Sequence, residues 1–295
     1  MDNPNQLSSP TELISQLQAA LLKLESKDLA GDNTENLEQA YRALDELSEA
    51  ILRNQERLQQ ELRKVQQERN HFVSVVTHEL RLPLTAIKGY TDLLRQAAVG
   101  PVNEQQLSFL ETIRNNADRM SALLSDLSDI SHIETNRLRL EIEQVSIKDQ
   151  LDIALRSLQP LLQNKGQKVE VSRMEQLPMV WADANRLTQV LTNLLRNASM
   201  YTPEGGRISI RAYPVNQTLR VDVTDTGIGI SPEDQQKLFT PFFRSDDAFV
   251  REQHGWGLGL YLSARLIELM GGRIGVESAL ESGSTFWFTL PVSSV

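Results

Sequence analysis

The chain has 295 residues and carries 30 basic against 39 acidic side chains, which gives a formal net charge of −9 at pH 7. This acidic balance argues against a protein that binds nucleic acid or an anionic membrane, because such proteins neutralise phosphates with clustered lysine and arginine. The absence of cysteine excludes disulfides, iron–sulfur clusters, thiolate zinc sites and a cysteine nucleophile. No apolar run approaches the roughly 18 residues of a transmembrane segment. The polar start MDNPNQLSSP lacks the layout of a signal peptide, so we expect a cytoplasmic protein.

Glycine divides the chain into two parts of different character. Three of the 15 glycines lie before residue 166, and the others lie at or after it. Because glycine costs about 1 kcal/mol relative to alanine in a helix interior, we expect long helices first and a mixed α/β domain afterwards. The length itself predicts about two folded domains.

The N-terminal part carries an apolar repeat that is typical of a coiled coil. Apolar spacing predicts a first helix over 11–28, and a break at 31–33 separates it from a longer one. From Leu37 to Val76 steps of four and three residues alternate, and nine of the twelve positions on this seam are apolar. A seam of this length favours a parallel pair of helices, one from each chain of a dimer.

Two further helical stretches follow the coiled coil. The apolar seam shifts after Val76 and continues to Leu94, and a turn is predicted at 97–104. The next helix is predicted to end at about Glu134, with apolar residues along one face. Two antiparallel helices with one apolar face each can bury both faces by dimerising, so we predict an antiparallel four-helix bundle in a homodimer.

Beyond residue 142 the pattern alternates between helix and strand periodicity. We predict three helices in this part, over 147–164, 184–200 and 258–270. Six strands are predicted near 167–173, 179–182, 207–213, 217–224, 273–278 and 284–291.

Two helical segments carry side chains suited to phosphate chemistry. In FVSVVTHELRLPLTAIKGY (72–90), His78 points away from the buried seam, and Pro83 removes a backbone hydrogen bond close by. In QVLTNLLRNASMYTPEGG (189–206), Asn193 and Asn197 share one helix face, and asparagine oxygens suit Mg²⁺. Each feature alone is also compatible with an ordinary exposed helix face.

Glycine-rich segments follow in the C-terminal part. The strand in RVDVTDTGIGI (220–230) ends at Asp225, whose carboxylate can accept a hydrogen bond from an exocyclic amine such as that of adenine. In HGWGLGLYLSARLIELMGG (254–272) three glycines lead into a helix, and a helix N-terminus is a phosphate-binding feature. Neither a Walker loop nor a dinucleotide fingerprint is present. The polar segment PFFRSDDAFVREQ (241–253) between them is expected to be a mobile lid.

In this order the segments resemble the motifs of two-component sensor histidine kinases, over roughly residues 70–295. The H box reads THELRLPLT, the N box NLLRNASMYTPEGG, the two Gly boxes DTGIGI and GWGLGL, the F box PFFR and the closing box GSTFWFTLP. The resemblance implies a multi-domain α and α+β architecture. A helical coiled-coil signalling segment (1–70) would precede a dimeric four-helix bundle (71–136) that carries the phosphoacceptor. The α/β sandwich that binds ATP, shared with gyrase-type ATPases, would occupy residues 143–295.

The resemblance also implies roles for individual residues. His78 would accept the phosphoryl group, and Glu79 would orient and deprotonate its imidazole. Asn197 would hold Mg²⁺, and Asp225 would bind the adenine amino group, supported by Gly227, Gly229 and Thr285. The nucleotide site would include, beside Asn197 and Asp225, the following residues: Gln189, Asn193, Tyr201, Gly227, Gly229, Gly255, Gly257, Leu258, Gly259 and Thr285.

The implied activity is that of a cytoplasmic, homodimeric histidine autokinase that depends on Mg²⁺ and ATP. It would pass the phosphoryl group from His78 to an aspartate of a response regulator receiver domain, and an upstream sensor protein would supply the input.

Three positions depart from the family pattern. Leu82 stands where many members have threonine or asparagine, so phosphatase activity is not expected. Met200 replaces a common lysine, and Trp256 enlarges the second Gly box.

Two other functions share some of these motifs. A degenerate kinase that serves as a binding scaffold is an alternative raised by Met200 and Trp256. An ATP-driven clamp of the gyrase type would share the N box and the Gly boxes, but it has no use for the H box on a dimer helix.

Overall fold

The structure, a computed structural model, describes residues 34–172, 174, 176–253 and 255–293. The chain divides into two compact units, residues 1–72 and 73–295. The predicted helix over 11–28 lies outside the described residues. Among the helices that are described, none combines the length and the apolar composition that crossing a membrane requires.

The described part of the first unit belongs to one long helix, α1 (Thr34–Arg95). Many apolar side chains in this part of the helix are exposed, although burial is what stabilises such residues in water, and Tyr41, Leu44 and Ile51 are half-buried. Oppositely charged side chains pair along the same helix, for example Arg53 with Glu49 at 3.4 Å. The exposed apolar residues of this stretch are Leu47, Leu52, Leu58, Leu62, Val65 and Phe72.

In the second unit, α1 and α2 (Glu104–Glu134) form an antiparallel hairpin. Asn103 and Gln106 form a capping box at the start of α2, which satisfies two otherwise unpaired backbone N–H groups. Lys88 pairs with Asp118 at 2.6 Å, and Asp92 pairs with Arg114 one turn further on. Continued along the hairpin, this register places His78 at about the level of Asp129. A small apolar core joins the two helices and consists of Leu84, Ala117 and Leu124.

An α/β domain follows the hairpin. Its main sheet has the strand order β2–β4–β5–β7–β6, with β2 and β4 parallel and the other neighbours antiparallel. A separate antiparallel pair is formed by β1 and β3. The strands are β1 (Glu143–Val145), β2 (Lys168–Val171), β3 (Val180–Ala182), β4 (Arg207–Val215), β5 (Thr218–Asp225), β6 (Arg273–Ser278) and β7 (Ser284–Pro291).

Three amphipathic helices cover one face of this sheet. Alternating burial along β7 shows that Phe286 and Phe288 face the helices, whereas Trp287 lies on the other face. The helices contribute fully buried leucines, among them Leu151, Leu191 and Leu266. The helices of the domain are α3 (Ile147–Asn164), α4 (Ala184–Tyr201), α5 (Pro232–Gln235), α6 (Ala248–Glu252) and α7 (Gly259–Leu269).

The predicted fold class, long helices followed by an α/β sandwich, is confirmed by these elements. Helix α3 and strands β6 and β7 have the predicted bounds, α4 is one residue longer at its C-terminal end, and α7 is one residue shorter at each end. The short elements β1, α5 and α6 were not predicted. Helix α6 lies in the segment 241–253 that was expected to be a mobile lid, and the Asp247 side chain caps its N-terminus.

The end of α2 belongs to the core of the α/β domain. Ile130 and Ile133 are buried in the same apolar cluster as the three covering helices and the sheet. The α/β domain therefore packs on the C-terminal part of the hairpin, in addition to being connected to it by the chain.

Candidate active site

His78 lies on an exposed part of α1, next to a buried threonine. Its side chain is 70% accessible, whereas the preceding Thr77 is 3% accessible. The Nδ1 atom of His78 lies 3.2 Å from Oε1 of Glu79. When Nδ1 carries the ring proton and donates a hydrogen bond to this carboxylate, Nε2 has a free lone pair. Helix α1 continues through Pro83, so the proline does not end the helix after the histidine.

Three of the four predicted site residues on helix α4, namely Gln189, Asn193 and Asn197, differ in their surroundings. Gln189 donates from Nε2 to Oδ2 of Asp129 on α2, at 3.1 Å. Asn193 donates from Nδ2 to the Ser263 hydroxyl on α7, at 2.9 Å. No described residue makes a hydrogen bond to the half-buried side chain of Asn197. Its amide oxygen is therefore free to bind a metal ion, while Gln189 and Asn193 connect α4 to other helices.

Asp225 ends β5 with a buried carboxylate. The Gly227 N–H donates to Oδ1 of Asp225 at 2.8 Å. Burial raises the pKa of Asp225 to about 6, although hydrogen bonds from the backbone of Gly227 and Ser284 oppose this shift. The carboxylate is thus mostly ionised at pH 7 and can accept a hydrogen bond from a ligand amine. The hydroxyl of Thr285 lies 3.0 Å from that of Thr224, and Ser284 is the residue that faces Asp225 across the sheet.

The glycines after Asp225 allow a close approach of three backbone segments. A Cβ on Gly227 would lie 2.4 Å from the carbonyl oxygen of Tyr201, and one on Gly229 would lie 1.9 Å from that of Ala279. Gly229 also has φ +71, which side chains rarely tolerate. The loop after β5 is therefore clamped between the end of α4 and the β6–β7 turn. Burial raises the pKa of the Tyr201 phenol at the end of α4.

The second Gly box leads into α7 and leaves its first backbone N–H groups without a side-chain cap. Gly257 has φ +69, and a Cβ there would lie 2.4 Å from the Phe243 carbonyl oxygen. Leu258 is buried and anchors the loop. A Cβ on Gly259 would lie 2.3 Å from Oδ1 of Asn193, whereas Gly255 faces open space. An uncapped helix start beside open space is suited to bind an anionic group.

Two contacts of residues near the candidate site were missed at the sequence level. Lys165 donates from Nζ to the carbonyls of Ser199 at 2.8 Å and Met200 at 3.1 Å, at the C-terminal end of α4. Arg186 of α4 forms a 2.7 Å ion pair with the buried Asp129 of α2. Both contacts join residues far apart in the sequence, so no local pattern indicates them.

Comparisons with known proteins agree with this arrangement. Residues 68–136 match the family model of the His Kinase A (phospho-acceptor) domain. Residues 182–294 match that of the histidine kinase-, DNA gyrase B- and HSP90-like ATPase. The first match includes His78, and the second includes Asn197, Asp225 and the Gly-box residues.

Curated proteins are similar to most of this chain. The chain is 33% identical over 275 residues to the non-motile and phage-resistance protein of Caulobacter vibrioides, covering 88% of this chain and 32% of that protein. It is 37% identical over 228 residues to the sensor protein GacS of Pseudomonas syringae, covering 75% and 25%. The chain thus spans about a third or less of the length of these relatives.

Solved structures show the same fold. Full-length ShkA in complex with AMPPNP has a TM-score of 0.62 at 29% identity, covering 76% of this chain and 46% of that chain. The histidine kinase AdeS of Acinetobacter baumannii has a TM-score of 0.53 at 26% identity, covering 74% and 98%. An exposed histidine on a helical hairpin, joined to an ATPase domain of this type, defines a class of signalling proteins. The chain belongs to the two-component sensor histidine kinases.

Proposed function

We propose that the chain is a Mg²⁺-dependent ATP–histidine autokinase that phosphorylates His78 and passes the phosphoryl group to an aspartate of a response regulator receiver domain. One observation carries the proposal: each of the two domains that define the family holds a reactive or binding side chain in place. The exposed imidazole of His78 contacts Glu79, and the carboxylate of Asp225 accepts a hydrogen bond from Gly227. The chain departs from the family pattern at Leu82, Met200 and Trp256, and none of these is one of the four residues just named.

The chemistry at His78 follows from its contact with Glu79. Nε2 attacks the γ-phosphorus of ATP, a P–N bond forms, and the P–O bond to the β-phosphate breaks, so that ADP leaves. The ring becomes positively charged in this step, and the Nδ1 proton can pass to Glu79. The same carboxylate orients the ring, which removes part of the entropic cost of reaching an in-line geometry.

The nucleotide site is proposed to extend from Asp225 to the start of α7. Asp225 would accept a hydrogen bond from the adenine amino group, and the uncapped N-terminus of α7 would bind the phosphates. Asn197 would hold Mg²⁺, which neutralises phosphate charge when it is bound. The described residues contain no group of three or more histidine or acidic side chains placed for a metal. One amide oxygen of the protein, together with phosphate oxygens of the nucleotide, fits a Mg²⁺ ion that binds together with the nucleotide.

A homodimer is part of the proposal. Apolar side chains on the hairpin are exposed in the single chain, and a second hairpin would cover them in a four-helix bundle. We place the activity in the cytoplasm, with α1 transmitting input from an upstream sensor protein. The exposed Leu82 beside His78 offers no polar group to orient a water molecule, so phosphatase activity is not expected. The exposed apolar residues of the hairpin include Leu80, Ile87, Leu94, Leu107, Ile113 and Met120.

Incubation with γ-labelled ATP tests the proposal. The wild-type chain should gain protein-bound label with Mg²⁺ and none with a chelator, and a receiver domain should then remove the label. Asn197→Ala should remove the labelling, because the proposed metal ligand is lost. The variant Asn216→Ala is the control, since Asn216 lies in the β4–β5 turn away from the site. A chain that binds ATP but is never labelled would instead support the scaffold alternative.

A further inference from the structure

Arg244 bonds to the main chain of the loop that precedes α7. Its Nη1 donates to the Gly255 carbonyl at 2.9 Å, and its Nη2 donates to the carbonyls of Gln253, at 2.6 Å, and Val250. A guanidinium group is a planar fork of donors with fixed directions, so it can hold several carbonyls in one arrangement. The half-buried Arg244 therefore sets the relative positions of three points in the chain segment 250–255.

Two of these carbonyls, those of Val250 and Gln253, lie at the C-terminal end of α6, where the Gln253 N–H also donates to the Val250 carbonyl at 3.2 Å. The last carbonyls of a helix have no partner within the helix, and α6 spans only Ala248–Glu252. Its N-terminal N–H groups are satisfied by Asp247, which accepts from Phe249 at 2.8 Å. Arg244 supplies the donors at the opposite end. The short helix is thus capped by side chains at both ends.

A second contact extends this arrangement to the start of α7. The Phe242 N–H donates to the Gly257 carbonyl at 3.0 Å. Phe242 has φ +62, a conformation that costs a non-glycine residue free energy and persists where surrounding contacts hold it. Segment 242–244 is consequently bonded to residues 250, 253, 255 and 257. The next residues open α7, whose first N–H groups carry no side-chain cap.

We infer that Arg244 is a positioning residue for the phosphates of ATP, acting through the backbone of Gly255–Gly259. It sets the direction of the N–H groups at the start of α7. The inference rests on the proposed function, which supplies ATP as the ligand. Since Asp225 holds the adenine end of the proposed site on a different element, loss of Arg244 weakens the binding of phosphates and leaves the binding of adenosine unchanged.

The test compares Arg244→Gln with Arg251→Gln in the full chain. Both variants remove one positive charge from the same segment, but Arg251 pairs with Asp246 at 2.6 Å on the exposed surface. Arg244→Gln should weaken ATP binding about tenfold, because charge-assisted hydrogen bonds are lost. Adenosine binding should stay unchanged, and Arg251→Gln should bind both ligands like wild type. Titration calorimetry with ATP and adenosine measures these affinities.

Amide hydrogen exchange without nucleotide supplies a readout that does not depend on kinase function. The amides of Phe242 and Gln253, which donate to the Gly257 and Val250 carbonyls, should exchange about tenfold faster in Arg244→Gln, while those of β5 should not change. Arg244→Lys keeps the charge but not the fork of donors, so it should behave like Arg244→Gln.

Several outcomes would overturn the inference. Unchanged exchange at Phe242 and Gln253, an equal loss of ATP and adenosine binding, or full rescue of ATP binding by Arg244→Lys would each contradict it. The last result would indicate that the charge itself, and not loop geometry, is what matters. A wild-type chain that fails to bind ATP would contradict the proposed function, and the exchange comparison would still decide the role of Arg244.

Discussion

At the scale of single residues, Asp225 links burial to nucleotide binding. Burial raises the pKa of its carboxyl group to about 6, so the group loses its charge as the pH falls through that value. A protonated carboxyl is a poorer acceptor for the adenine amine. We therefore predict that ATP affinity is constant between about pH 7 and 8 and falls below about pH 6. Calorimetric titrations at several pH values measure this.

The variant Asp225→Asn is the control for that prediction. Its ATP binding should be weak at every pH, because the charged acceptor is missing throughout. The control is needed because burial and the neighbouring Asp129 also raise the pKa of Asp126 to about 6. If the variant kept the pH dependence of wild type, another group would be responsible, and the role of Asp225 would be contradicted.

At the scale of elements, the end of helix α4 depends on a lysine from outside the helix. Lys165 donates to two of its last carbonyls, which have no partner within the helix. Lys165→Met should lower the free energy of unfolding by about 1 kcal/mol. Lys168→Met changes the same charge at an exposed position in β2 and should have an effect below about 0.5 kcal/mol. Thermal unfolding of both variants measures the difference, and equal effects would exclude a capping role.

Periodicity predicts the long elements of this fold, and it fails for the short ones. The apolar spacing of α3 and the alternation along β7 extend over enough residues to indicate both type and bounds. Strand β1 has three residues and α6 is little more than one turn, so neither shows a period. The local surroundings of Asp225 and its glycines could be predicted because they are neighbours in the sequence. Strand register decides that Ser284, and not Thr285, faces Asp225. The packing of the domains decides that Gln189 meets Asp129.

At the scale of the whole second unit, a partly buried ion pair joins the hairpin to the α/β domain. Asp129 on α2 accepts from Arg186 and from Gln189, and both of these donors lie on α4. Asp129→Asn should weaken this packing by about 2 kcal/mol, because a charged hydrogen bond is lost from a buried site. Faster hydrogen exchange in the connecting segment 135–142 should follow.

A neighbouring aspartate offers a matched control for that change. Asp126→Asn removes the same charge one turn earlier on α2, where like-charge repulsion from Asp129 is one of the causes that raise the pKa of Asp126. This variant should leave the exchange of segment 135–142 as it is in wild type. Identical exchange in the two variants would show that the ion pair with Arg186 does not hold the domains together.

The central claim is that His78 carries the phosphoryl group, and one measurement tests it most directly. Wild-type chain and His78→Ala are incubated with Mg²⁺ and γ-labelled ATP, and the label is tested in acid and in base. We predict a label in wild type that is lost in acid and stable in base, as expected for phosphohistidine, and no label in the variant. A label that persists in His78→Ala would contradict the account.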